Sequence, residues 1–313
     1  MLMATKRTGP DEYRPDRRTT LTVIVALAAI LGLFIIQSVS VDFTQDDAYI
    51  SFRYVKNLVA GRGLVFNPDE RVEGYTNFLW IMILAVFARF GLDVIMVSKV
   101  LGVTSGCTVI VVAYLMSVRH LAGTVSGSIP ETGENPRGTS AAGIRLLALT
   151  PSLLLAANTS FAYWSISGLE TPLFVLGVLT TLYLYFSDTR LAVAAAAATS
   201  LVRPEGVLVF AILILHGLLA RRCGLRRGLL YIAGYVVLML PFLAFRLGYY
   251  GDLLPNPFYA KTGIGAQYFR SGLEYFLRFL KDYGLWGLPY LVPILLWRRL
   301  RSDGRLLLVA ACV

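Results

Sequence analysis

Apolar runs alternate with short polar stretches along almost the whole chain. They fall near residues 21–39, 75–90, 94–118, 144–160, 171–187, 191–202, 207–220, 228–247 and 284–297, and a last run begins at 306. Sparsely charged runs approaching the ~20 residues needed to cross a ~30 Å hydrocarbon core predict membrane helices. Two places break the pattern. The run Leu191–Val202 is short for a span, and Arg203, Pro204 and Glu205 interrupt what would otherwise be one continuous apolar stretch. Such a break is either a kink in a single helix or polar backbone lining a cavity at membrane depth. The second break is longer. Residues 42–80 read DFTQDDAYISFRYVKNLVAGRGLVFNPDERVEGYTNFLW. Within them Arg53, Lys56 and Asn57 share one helical face and Tyr54, Val55, Leu58 and Val59 another, which predicts a short amphipathic helix lying at the membrane interface.

Composition agrees with that pattern. The chain of 313 residues is 56% hydrophobic and 15% charged, with a mean hydropathy of +0.65, values that exclude an ordinary soluble domain and predict an all-α, polytopic helical membrane protein. The formal net charge of +10 does not point to nucleic acid, because Lys and Arg cluster in short patches between apolar runs, as cytoplasmic loops do. Cys107, Cys223 and Cys312 lie in or beside predicted spans without paired spacing, so neither a disulfide framework nor a zinc site is indicated.

Charge also selects a topology. If every run crosses, the Arg-rich linkers 221–227 (RRCGLRR) and 298–305 (RRLRSDGR) fall outside, against the positive-inside rule. If Tyr75–Phe90 instead lies along the membrane or re-enters it, both linkers become cytoplasmic. The expected organisation is then a cytoplasmic tail over 1–20 and a transmembrane domain over 21–313. Its first outer loop is 40–93, its cytoplasmic loop 119–143, and its further outer loops 161–170, 203–206 and 248–283. More than half of the 29 Lys and Arg residues fall inside, and most of the 19 Asp and Glu residues fall outside. The stretch 121–139, rich in Gly, Ser, Thr and Pro, reads as a linker. The run from 306 stops partway through a span, so a C-terminally incomplete domain is expected. No internal repeat or inverted pair of broken helices is visible, which argues against a transporter.

The candidate chemistry lies in the outer loops. Asp46 and Asp47 either cap the helix that begins near Ala48 or act as a general base or cation ligand at the edge of a low-dielectric cavity. Arg53 and Lys56 either snorkel toward lipid headgroups or grip a lipid phosphate. Glu73, Tyr75 and Asn77 are of the types that hydrogen-bond to and stack on sugars, although Tyr75, Phe78 and Trp80 also suit plain interfacial anchoring. Glu170 opens the next helix, where the helix dipole favours an acid whatever its function. Arg203 and Glu205 pair with each other or line a cavity. Asn256 and Lys261, in LLPNPFYAKTG, are further substrate contacts, or members of a stiff proline-rich loop.

The segments DDAYISFRYVKNLVAGRGLVFNPDERVEGYTNFLW, SGLETPLF, LVRPEG and LLPNPFYAKTG together resemble the GT-C superfamily of membrane glycosyltransferases, and within it the mycobacterial terminal arabinofuranosyltransferase family. The matches spread from Asp42 to Gly263, and the first is the long and specific one. The resemblance implies a GT-C fold with interfacial helices in the first outer loop. It implies a multi-pass protein of the bacterial inner membrane, acting on the periplasmic face on a polyprenyl-phosphate-linked sugar, a pentose such as arabinose among the options. The acceptor would be a cell-envelope glycan or lipid. By the same resemblance Asp46 or Asp47 is the base of an inverting transfer and Glu170 positions a substrate. Arg53, Lys56, Arg203 and Lys261 then hold the donor phosphate. No cofactor is required, and a divalent cation at Asp46 and Asp47 is optional. A lipid or polymer transporter and a non-catalytic GT-C-like subunit are the alternatives.

Overall fold

The computed structural model describes residues 16–126, 141–261, 266–295 and 304–307. Residues 1–15 of the expected tail, 127–140 of the expected cytoplasmic loop, 262–265 of the last outer loop, 296–303 of the Arg-rich linker and the run from 308 lie outside them. The described residues form helices joined by turns and loops, with no strand among them. Among the described residues three helices are long and apolar enough to cross a membrane, α1 (Arg17–Val41), α4 (Val94–Ser126) over its part Val94–Ala122, and α11 (Leu225–Tyr250), and the bent pair Ala141–Ala156 and Thr159–Ile166 makes a fourth if it is one span. α1 and α11 turn Leu21, Ile24, Ile36, Leu229, Leu230 and Val237 outward. An apolar surface of that extent belongs in lipid. The chain is a helical membrane protein, and it folds as two compact units, one of residues 1–49 and 91–183 and one of residues 50–90 and 184–313.

In the first unit α1, α4, α6 (Leu149–Ala156) and α7 (Thr159–Ile166) pack against one another. Asp16 caps α1 by accepting the Thr19 amide at 2.8 Å. Their shared core is Ile30, Phe34, Ile110, Ala156 and Ala162. Small residues allow the helices to approach: a side chain at Gly106 would meet the Phe34 ring, and one at Gly102 would meet the Ser165 carbonyl. The apolar run predicted at 144–160 is not one helix. α5 (Ala141–Leu147) and α6 precede a break at Ala157 and Asn158, after which α7 leaves at 61°. The break has a local cause, since Asn158 accepts the Phe161 amide at 3.0 Å and so starts a new helix inside the apolar run. Most of the segment expected as the outer loop 161–170 is therefore helical. α8 (Thr171–Phe186) follows it and runs on into the residues of the second unit.

In the second unit α2 (Ala48–Val59) leads through a long loop to α3 (Phe78–Arg89), which packs on α9 (Leu191–Val202). α9 and α10 (Gly206–Leu219) also pack on each other, so the chain reverses at Arg203–Glu205 into a hairpin rather than continuing as one kinked helix. At 12 and 14 residues they are about 18 and 21 Å long. α11 lies across both, through a core of Val193, Ala196, Ala197, Phe210, Tyr235 and Met239. There the Phe210 and Tyr235 rings stack at 4.0 Å and the Tyr235 hydroxyl donates to Ser200 Oγ at 2.7 Å. α12 (Asn256–Lys261) and α13 (Ala266–Leu295) follow, the second of which absorbs most of the apolar run predicted at 284–297.

Candidate functional site

The three predicted catalytic acids belong to the first unit. Asp46 and Asp47 are exposed in a turn directly ahead of α2, where the Tyr49 amide donates to the Asp46 carbonyl at 3.0 Å. The Asp46 carboxylate folds back on the turn. Its Oδ1 accepts the Gln45 side-chain amide at 2.7 Å and the Asp47 backbone amide at 3.0 Å. The turn is tied down on its other side, where the Gln45 backbone amide donates to the Ser167 carbonyl at 2.9 Å and the Phe43 and Tyr163 rings stack at 3.8 Å. Lys99 Nζ meets Asp42 Oδ1 at 2.7 Å just before it.

Ser167 is the first residue of the SGLE segment that ends in Glu170. The segment is shaped by Ser167 Oγ, which donates to the Trp164 carbonyl at 2.8 Å and accepts the Leu169 amide at 3.2 Å. Gly168 adopts φ +84°, a left-handed conformation that favours glycine. Glu170 is 7% exposed and its carbonyl accepts the Phe174 amide, which starts α8. The Gln45–Ser167 bond thus brings the loop carrying Asp46 and Asp47 to the loop carrying Glu170, although the two lie more than a hundred residues apart in sequence.

The nine predicted substrate-binding residues belong to the second unit. Three of them are interior. Glu73 forms a buried ion pair with Arg246, Oε2 to Nε at 2.8 Å, with Glu73 2% and Arg246 9% exposed. Arg246 also donates through Nη2 to Glu73 Oε1 at 3.1 Å and through Nη1 to the Leu253 carbonyl at 3.2 Å, and its guanidinium stands 4.6 Å from the centre of the Phe242 ring. Burial pushes the Glu73 carboxyl above its usual value, and the charge and hydrogen bond of Arg246 pull against that. Tyr75 is 3% exposed, its hydroxyl 3.2 Å from that of Tyr250, and burial raises its pKa as well. Asn77 is buried beside Ser51, to which its Nδ2 donates at 3.0 Å, directly before α3. Expected as sugar contacts, these three lie in the interior of the unit, where they tie the loop to Arg246, Tyr250 and Ser51.

The loop over residues 60–77 is held at several more points. Tyr250 donates to the Leu64 carbonyl at 2.7 Å, and the Leu64 amide donates to the Tyr249 hydroxyl at 3.1 Å. The Tyr54 hydroxyl donates to the Val72 carbonyl and accepts the Gly74 amide, both at 2.8 Å. Gly63 sits at φ +88° against the Tyr249 hydroxyl, where a side chain would be both strained and obstructed. Asn57, expected on the basic face of α2, is fully buried, and its Nδ2 donates to the carbonyls of Val65 and Phe66 at 2.9 Å each. Arg53 joins it, Nε to the Phe66 carbonyl at 3.1 Å. Of that predicted face only Lys56 is exposed.

The remaining four sit at turns and at the last helix before 262. Arg203 and Glu205 pair across the hairpin turn, Nη2 to Oε1 at 3.0 Å. Burial pushes the Glu205 carboxyl up, but the hydrogen bond and charge of Arg203 more than offset it and hold the carboxyl below its usual value. Asn256 is exposed at the start of α12, its amide donating to the Glu73 carbonyl at 2.9 Å, and Lys261 ends the same helix. Among the described residues no group of three or more His, Cys, Asp or Glu side chains is placed to hold a metal ion. Asp46 and Asp47 supply two carboxylates on their own.

Arg246, Tyr249 and Tyr250 escaped the sequence reading. Arg246 did carry a signal, because a lone charge inside the apolar run 228–247 needs a partner. The tyrosines carried none, being ordinary residues for the end of a membrane helix.

Comparison with known proteins adds a relationship. The chain is 31% identical over 264 residues to the terminal β-(1→2)-arabinofuranosyltransferase of Mycobacterium tuberculosis and 30% identical over 269 residues to the protein of the same name from Corynebacterium glutamicum. These alignments take in 80% and 79% of this chain but only 39% and 37% of the relatives, so the chain spans about two fifths of their length. No family model and no solved structure matches. Over about four fifths of its length, this membrane chain is similar to the terminal β-(1→2)-arabinofuranosyltransferases.

Proposed function

We propose that the chain is the acid-bearing part of an inverting GT-C glycosyltransferase that moves an arabinofuranosyl residue from a polyprenyl-phosphate donor to a cell-envelope acceptor. We place the reaction on the periplasmic face of the inner membrane, a reading supported by the positive-inside rule, which puts the Arg-rich loops in the cytoplasm. The observation that carries this reading is the acidic turn. Two exposed carboxylates are held against the loop of a third acid, Glu170, in a chain related to arabinofuranosyltransferases.

In such a transfer one carboxylate removes the proton of the acceptor hydroxyl as its oxygen attacks the anomeric carbon, and the polyprenyl phosphate leaves from the opposite face with the bonding pair. A general base needs a lone pair facing the acceptor. What supports Asp47 over Asp46 is that Asp46 Oδ1 already accepts two hydrogen bonds inside its own turn. Asp46 then orients the turn and Glu170 positions the bound sugar. Charge builds on the leaving phosphate, so cations beside it lower the barrier. The cations proposed for that role are Lys56, exposed on α2, with Arg53, Arg203 and Lys261, and Asn256 is proposed as a further substrate contact. Transfer from a monophosphate needs no metal ion, and a divalent cation at Asp46 and Asp47 would assist rather than be obligatory.

The test is sugar transfer in membranes expressing the full reading frame, offered labelled polyprenyl-phosphate arabinose beside other polyprenyl-phosphate sugars, with Asp46→Asn, Asp47→Asn and a chelator run in parallel. Transfer of arabinose by the parent, loss of it in Asp47→Asn at equal expression, and survival of activity in chelator are expected. No transfer of any sugar would move the transporter and subunit readings ahead.

A further inference from the structure

The end of the second unit away from these residues carries a site of another kind. α9 and α11 begin there and α10 ends there, whereas Arg203, Glu205, Arg246 and Tyr250 lie at the opposite helix ends. Between the three helices is a cavity of about 270 Å³, with apolar walls that include Ala192, Val193, Phe210, Leu213 and Ile214. Its mouth is basic. The two loops beside it, 187–190 and 220–224, together with the first turn of α11, hold Arg190, Arg221, Arg222, Arg226 and Arg227 against a single acid, Asp188.

The loops are locked together there. Arg227 Nη2 meets Asp188 Oδ1 at 2.6 Å and its Nε donates to the Tyr231 hydroxyl at 2.7 Å, while the Arg222 guanidinium lies 5.8 to 5.9 Å from the centres of the Phe186 and Tyr185 rings. Arg221 adopts φ +53°, so the turn keeps an arginine where a residue without a side chain would be favoured. Leu191, Leu219 and Leu225 are exposed immediately alongside the arginines.

We infer that this cavity binds an anionic phospholipid, with one acyl chain entering between α9, α10 and α11 and the headgroup phosphate at Arg222 and Arg227. The juxtaposition is that of a headgroup boundary: guanidinium groups at the rim, lipid-facing leucines beside them and an apolar hollow beneath. Basic pockets between membrane helices select anionic headgroups by charge, and the chain supplies the affinity that charge alone would not. A soluble phosphate would leave the apolar hollow unused. The site is independent of the transfer reaction, since none of its residues is assigned to sugar or donor.

The experiment is lipid retention by the purified full chain in detergent, read by native mass spectrometry after incubation with phosphatidylglycerol or phosphatidylcholine of matched chains. The parent is expected to retain phosphatidylglycerol preferentially. Arg222→Gln removes one rim charge and is expected to weaken retention about fivefold. Val193→Phe fills the hollow and is expected to lower retention while circular dichroism stays helical, whereas Lys56→Gln at the other end leaves it unchanged. Glycerol phosphate, which has no chain, is expected not to compete. Equal retention of the two lipids, retention unaffected by Arg222→Gln, or full competition by glycerol phosphate would each overturn the inference.

Discussion

The turn at residues 42–47 and the loop at 60–77 look alike in sequence and are opposites in structure. Both are polar stretches with acids and aromatics, and both offered candidates for contact with a sugar. In the turn, Asp46 and Asp47 are exposed, held by a few bonds to a neighbouring loop. In the loop, Glu73, Tyr75 and Asn77 are buried and bonded to Arg246, Tyr250 and Ser51. Polar side chains of similar type therefore divide here into exposed ones and ones that hold irregular backbone in the interior. Every amide and carbonyl of such a loop needs a partner; Tyr249 and Tyr250 supply those of Leu64, and Arg53, Tyr54 and Asn57 of α2 supply those at Val65, Phe66, Val72 and Gly74.

The sharpest way to break this comparison is to remove one acid from each region. Asp47→Asn is expected to reduce transfer by ~10²–10⁴-fold, the range for loss of a general base, with little change in thermal stability. Asp46→Asn should cost less, because an amide still accepts the bonds from Gln45 and Asp47 through its oxygen. A larger loss in Asp46→Asn would reverse their assigned roles.

Arg246→Ala is the counterpart in the loop. It strands the Glu73 carboxylate in the interior and is expected to cost about 3–5 kcal/mol, seen as a lowered melting temperature in detergent, with activity lost only as folded protein is lost. The double change Glu73→Leu with Arg246→Met should recover much of that stability. The pH dependence has a definite sign. Burial already raises Glu73 in the folded state, and without Arg246 nothing opposes it. A carboxyl raised in the folded state favours folding at pH values below its unfolded value near 4.5 and loses that contribution as pH rises through the folded value. The stability deficit of Arg246→Ala should accordingly be smallest in acid and grow toward neutral pH; a deficit independent of pH would remove Glu73 from the account.

Asn57→Ala is expected to cost about 1–3 kcal/mol, because the Val65 and Phe66 carbonyls each lose a donor. Lys99→Gln stands at the small end, at about 0–1 kcal/mol, since its partner Asp42 is 75% exposed. A large effect of Lys99→Gln on transfer would show that the turn needs that tether to present its acids.

Much of the architecture was legible beforehand for a simple reason. Hydrophobic runs and their charged borders are read by the membrane itself, so α1, α4 and α11 coincide with predicted runs, and the Arg203–Pro204–Glu205 interruption is a real chain reversal. The runs did not reveal the break at Asn158, where one side-chain bond outweighed continuous hydrophobicity. They also did not reveal that Asn57 faces inward, because helical periodicity tells which residues share a face and not which face the rest of the chain will cover.

By itself the sequence determined that this is a membrane protein of packed helices, that its polar chemistry gathers in a few loops, and that an acid pair leads into an amphipathic helix. Those properties depend on local composition and spacing. Which acid is exposed and which is paired was decided only in three dimensions, because it depends on Arg246 and Tyr250, distant residues that the fold brings to the loop. The same holds for Ser167, which joins the turn of Asp46 and Asp47 to the segment of Glu170. Burial and pairing are relations between distant parts of a chain, and no local pattern records them.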